Sequence, residues 1–181
     1  MKRVLAFVVV LVGSAAAHAA DPPKESTKFD DLKDMLTALG KAEKADVVLR
    51  EGLPHPVNER KAFEAEKKKE TIESAGALFY KEPLTLKADD TTTVLARLLD
   101  ATSYADFRGE KKCGGFHPDY EVVVINTADK SEYRFQVCFG CHEVKVYGPK
   151  DQAVRADLTN GYDALAKVLR PYQKNRPESK E

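Results

Sequence analysis

Past its first nineteen residues the chain has no apolar run long enough to span a bilayer, no surplus of either charge, and only three cysteines. Each shortage removes a class of protein. A span needs about 20 apolar residues, so no membrane crossing is expected once the N-terminal segment is removed. The 29 cations are matched by 29 anions, which leaves neither the basic field that a nucleic-acid partner demands nor a strong acidic one. Also missing are a glycine-rich phosphate loop, G-x-S-x-G, H-E-x-x-H, a kinase signature, and any repeat at a solenoid or propeller period.

What is there begins with a secretory pattern. Lys2 and Arg3 precede the apolar run Val4 to Val12, and Ala17-His18-Ala19 forms an A-x-A cleavage site. Residues 1–19 are therefore read as a signal peptide and the protein as exported, periplasmic or extracellular. No cysteine follows the cleavage site, so a bacterial lipoprotein anchor is not expected. Residues 20–172 suit one domain, and 173–181 form a polar, charged tail expected to be disordered. An exported compartment permits disulfides, and an odd cysteine count leaves one over unless a metal, a haem or a protein partner takes it.

Hydrophobic spacing predicts an α+β fold: an antiparallel sheet with a central three-stranded meander and amphipathic helices on one face. Phe29, Leu32, Met35, Leu36 and Leu39 make a helical stripe, with Thr27 and Asp30 as its capping pair and Gly40 as its stop. Val47 to Leu49 read as a short strand, broken by Gly52-Leu-Pro-His-Pro56. The Lys/Glu-dense stretch Glu59 to Glu73 reads as a solvated helix or loop. Gly76 to Lys87 reads as a strand interrupted at Pro83. Val94, Leu95, Leu98 and Leu99 belong to a helix capped by Asp89 or Asp90, Tyr104 to Phe107 to a short strand, and Asn160 to Tyr172 to a last helix.

All three cysteines fall in or just before Tyr120 to Tyr147. Here Tyr133, Phe135, Val137 and Phe139 alternate with polar residues, as do the residues from His142 to Tyr147. With Phe139-Gly140 as a two-residue turn, Cys138 faces Cys141, Val137 faces His142, Gln136 faces Glu143, Phe135 faces Val144, Arg134 faces Lys145 and Tyr133 faces Val146. A one-residue slip would exchange the two faces of the strand. In that register the Cys138 and Cys141 α-carbons stand about 5.5 Å apart, within disulfide range.

Three chemistries follow. Cys113, Cys138 and Cys141 are candidates for a disulfide. Cys138 and Cys141 at a hairpin tip, joined by Cys113 and His117, offer a Cys3His zinc knuckle. Cys138-Phe-Gly-Cys-His142 spells the C-x-x-C-H of covalent haem c, with Cys138 and Cys141 as thioethers and His142 as axial ligand. A distal haem ligand would fall to His55 or His117, since Met35 lies in the helix stripe. As an enzyme the chain has two weaker routes. A thiol oxidoreductase through Cys138 and Cys141 lacks the helix that normally follows such a pair. A Cys113, His117 and Asp119 nucleophile would need a tightly folded loop. His55, between two prolines, reads as a stiff and exposed loop residue.

Glu51-Gly-Leu-Pro-His55, Cys113-Gly-Gly-Phe-His-Pro-Asp-Tyr120, Cys138-Phe-Gly-Cys-His-Glu143 and Asn175-Arg-Pro177 together resemble a group of uncharacterised exported proteins of planctomycete-type bacteria. The resemblance implies no activity. A looser set that this chain is similar to keeps C-x-x-C without the following histidine, which argues against haem. The expectation is a non-catalytic binding or structural domain, without a cofactor, in which a disulfide or zinc knuckle fixes the CGGFHPD loop onto the hairpin.

Overall fold

The computed structural model describes residues 24–42, 44–109, 111 and 114–177. Residues 1–19, read above as a signal peptide, lie outside the described residues, as do Cys113 and the last four residues of the tail. The fold is α+β. Strands β1 (Ala45–Glu51), β5 (Tyr120–Asn126), β6 (Glu132–Cys138), β7 (Glu143–Gly148), β8 (Gln152–Leu158) and β4 (Tyr104–Asp106) form a six-stranded sheet in that order. All its neighbouring strands are antiparallel. A separate hairpin joins β2 (Thr71–Ser74) to β3 (Ala77–Tyr80). The helices are α1 (Phe29–Leu39), α2 (Arg60–Glu66), α3 (Ala88–Leu99) and α4 (Tyr162–Leu169).

Alternation decides which side of the sheet is buried by helices. Val122 and Val124, Phe135 and Val137, Val144 and Val146, and Val154, Ala156 and Leu158 all point to one face. There they meet Leu32, Met35, Leu36 and Leu39 of α1, Val94 and Leu98 of α3, and Leu165 and Leu169 of α4. These residues account for the helices too: in each, the apolar positions recur every three or four residues, giving one stripe that the sheet covers.

The opposite face is polar, yet much of it is buried. Glu121, Gln136 and Glu143 are all sealed from solvent there. Gln136 Nε2 donates to the Ser74 carbonyl at 2.8 Å, and Ser74 Oγ donates to Glu121 at 2.5 Å. The β2–β3 hairpin thus reaches over this face. Its turn, Ala75-Gly76, has φ of 47° and 78°, the left-handed pair that a two-residue hairpin requires.

Several local expectations change. Helix α1 has no Thr27 cap; Ser26 Oγ instead accepts from Lys28 N–H and bonds Asp31. At α3 Asp89 and Asp90 sit inside the first turn, where negative charge suits the helix dipole. The cap there is Tyr172, whose hydroxyl accepts from Lys87 N–H at 2.9 Å and donates to Asp90 at 2.6 Å. Part of the Lys/Glu-dense stretch becomes β2, and β8 extends the meander beyond three strands. Among the described residues no helix is long and apolar enough to cross a membrane.

The β6–β7 register is also corrected. Cys138 faces Glu143, Val137 faces Val144, Gln136 faces Lys145, Phe135 faces Val146 and Arg134 faces Tyr147. The turn is four residues, Phe139 to His142, and not two. Because the shift is even, each side chain keeps its face, so apolar still meets apolar.

Candidate functional site: four motifs at one end of the sheet

Strand β1 ends where β5 begins, and β6 ends where β7 begins, so four segments distant in sequence arrive at one end of the sheet. Gly52 marks the tightest approach. Its N–H donates to the Asp119 carbonyl at 2.8 Å, its own carbonyl accepts from Arg176 Nε at 2.7 Å, and a Cβ there would stand 2.0 Å from the Pro118 oxygen. Only glycine fits between these backbones.

Asp119 and Glu51 are the acceptors of the cluster. One Asp119 oxygen accepts from Phe139 N–H at 2.6 Å and the other from Arg176 at 2.7 Å. Glu51 is fully buried. Its Oε2 accepts from Lys174 N–H (3.2 Å), Asn175 N–H (2.8 Å) and Asn175 Nδ2 (3.0 Å), and its Oε1 from Arg176 N–H (3.0 Å). A buried carboxylate is tolerable only when its lone pairs are used in this way. Within the tail expected to be disordered from residue 173, Lys174 to Arg176 make these hydrogen bonds.

The histidines are held as well. His117 Nε2 lies 2.6 Å from the Leu53 carbonyl and so carries the proton. Burial pushes the His117 pKa down, with the Leu53 hydrogen bond opposing. His55 is turned inward and is not exposed as expected from its loop. Its Nδ1 accepts from Val57 N–H at 3.1 Å and Asn58 N–H at 3.2 Å, while the His55 backbone N–H donates to the Glu59 carboxylate at 2.9 Å. Those acceptances place the ring proton on Nε2, which is buried without a partner among the described residues. A ring in this tautomer presents an N–H and no lone pair, a poor fit to a metal or haem ligand. The two imidazoles stand 5.0 Å apart, centroid to centroid.

Cys138 ends β6, and Cys141 lies in the turn that leads to β7. Cys138 is a free thiol and only 2% exposed. Its sulfur accepts from Cys141 N–H at 3.3 Å, and the His117 backbone amide also favours the thiolate. Burial pushes its pKa up, against those amides, so the thiol is a poor nucleophile at neutral pH. The turn does not lead into a helix, and nothing at the pair resembles the helix start that activates a redox cysteine. Cys141 Sγ lies 3.3 Å from the Gly115 carbonyl. Gly114 and Gly115 take φ of 90° and 96°, and a Cβ on Gly114 would press within 2.9 Å of His55. The paired glycines are thus what lets the loop fold down onto the turn.

His142 does not lie beside Val137. It adopts φ of 55° in the turn, exposes its ring to solvent and stacks on Tyr162 at 3.8 Å and 12°. Among the described residues no group of three His, Cys, Asp or Glu gathers as metal ligands. Of the expected zinc set, His117 has its Nε2 on Leu53, and Cys113 lies outside the described residues. Comparison with protein-family models, curated proteins and solved structures finds no match.

Proposed function

We propose that the chain is an exported, non-catalytic binding or structural domain, in which a Cys141–Cys113 disulfide fixes the CGGFHPD loop onto the β6–β7 turn. One observation carries this reading: Glu51, Asp119, His117 and Arg176, drawn from three of the motifs, are hydrogen-bonded within the cluster and not held open towards a substrate. Glu51 and Asp119 are filled by amides and Arg176, His117 by Leu53, and Cys138 is buried beneath the loop. A catalytic group must reach a substrate. The choice of cysteines is supported by the free Cys138 and by the Gly115 carbonyl beside Cys141. Cys113 is two residues upstream of Gly115, a reach of at most about 7 Å.

Closing the bridge removes two hydrogens, which an oxidant of the exported compartment must take up. The test is the intact mass of the mature protein with and without reductant, after export from a host with haem-maturation machinery. The reading predicts a gain of about two hydrogens on reduction and no bound group. A mass increase of one haem that survives reductant, or stoichiometric zinc with no disulfide, would overturn it.

A further inference from the structure

We infer that the cavity beside Glu143 binds a small zwitterion bearing a primary amine, such as a short amino acid, with the amine on Glu143. Glu143 is fully buried, on the polar face of β7. Its Oε2 takes both Nε and NH2 of Arg155, at 3.0 and 2.7 Å, while Oε1 has no partner among the described residues. The same residue lines a cavity of about 260 Å³, walled also by Gly115, Phe116, Lys145 and Arg155. A buried carboxylate oxygen left without a donor is costly, and a donor from a ligand relieves that cost.

Charge selects the class of ligand. Among the described residues around the cavity, Arg155 pairs with Glu143, Lys145 with Glu25 at 2.6 Å and Lys111 with Asp157 at 2.8 Å, so cations and anions alternate there. An anion alone would face the Glu143 oxygen, and a lone cation would face Lys145 and Arg155. A molecule with both charges suits both: its ammonium donates to Glu143 Oε1, and its carboxylate lies towards the Lys145 ammonium, which has three N–H groups. Phe116 bounds the space with its ring 5.0 Å from Lys145 Nζ and 5.7 Å from the Arg155 guanidinium, both within cation–π range.

The inference rests on the reading of the chain as a binding domain, and Cys141 and Gly115, at the loop that the disulfide is proposed to fix, line the same cavity; the mass measurement reports on the bridge and the titration below on the ligand, so the two can fail separately. The test is amide NMR of the mature wild-type protein titrated with glycine, β-alanine and γ-aminobutyrate, with acetate and methylammonium as single-charge controls. At least one zwitterion should shift the Gly115, Glu143 and Lys145 amides saturably at millimolar concentration, and neither control should do so. Glu143→Gln should weaken that binding by about tenfold or more, the loss of one charge-assisted hydrogen bond. Lys145→Met, at a more exposed position, should weaken it independently should Glu143→Gln fail to fold. No saturable shift with any zwitterion would mean that water alone serves the oxygen, and the proposal fails. Equal shifts from a control, or unchanged affinity in a folded variant, would also overturn it.

Discussion

Arg176 and Asp119, 57 residues apart in sequence, pair at 2.7 Å with both side chains largely withdrawn from solvent. The same guanidinium donates to the Gly52 carbonyl, and the other oxygen of Asp119 holds the start of the β6–β7 turn. Through these two residues the C-terminal segment, the β1 exit, the β5 entry and the cysteine turn become one unit.

Arg176→Ala therefore leaves Asp119 and the Gly52 carbonyl short of a donor. Removing one member of a partly buried, hydrogen-bonded pair should cost about 2–3 kcal/mol. Urea unfolding is the check, through a lower midpoint with unchanged slope. Deleting residues 173–181 should cost more, since Glu51 is then buried without donors.

Gly52→Ala drives a Cβ into the Pro118 carbonyl, a backbone atom that cannot swing aside. A loss of about 3 kcal/mol or more is expected, in the range of overpacked cores. Gly140→Ala is the control, because nothing stands within 4 Å of a Cβ there. Thermal melts of the two variants should differ clearly.

His117 should make the fold sensitive to mild acid. Its folded pKa lies below the ordinary 6.5, first because burial disfavours the charged ring. The unfolded chain therefore takes up this proton at a pH where the folded chain still refuses it. The stability that His117 contributes is complete above about pH 6.5, declines as pH falls from there to the folded pKa, and declines no further below it. The slope is at most about 1.4 kcal/mol per pH unit for one proton. His117→Gln should flatten stability against pH across that window; an unchanged slope would assign it to other groups.

Tyr172→Phe removes the hydroxyl that caps α3 between Lys87 and Asp90. About 1 kcal/mol is expected, as for loss of an N-cap, and hydrogen exchange should rise in the first turn of α3 before the rest of the helix.

The fold class was legible because α1, α3, α4 and the β6–β7 faces are written in apolar spacing. Residues 152–158 carry the same alternation, Val154, Ala156 and Leu158 inward, but small and charged neighbours dilute it. Thr71–Ser74 has too few apolar residues to separate from the charged run before it. The β6–β7 register shows why parity is insufficient: a shift of two residues leaves Phe135 and Val137 on the same face, so only turn length decides. That length rests on His142 taking a left-handed backbone, which only a few per cent of non-glycine residues do. The motifs were visible as letters, but the meeting of Glu51 with Arg176 across 125 residues is a property of the sheet's ends.

The central claim is that Cys113 and Cys141 hold the loop while Cys138 stays a buried thiol. Its most direct test is to block free thiols of the unfolded, unreduced mature protein with an alkylating agent at acid pH, digest it, and map the cysteine peptides by mass. The account predicts one linked peptide joining Cys113 to Cys141 and one alkylated peptide carrying Cys138, with alkylation of the native protein far slower. A Cys138–Cys141 link, or three alkylated cysteines, would contradict it.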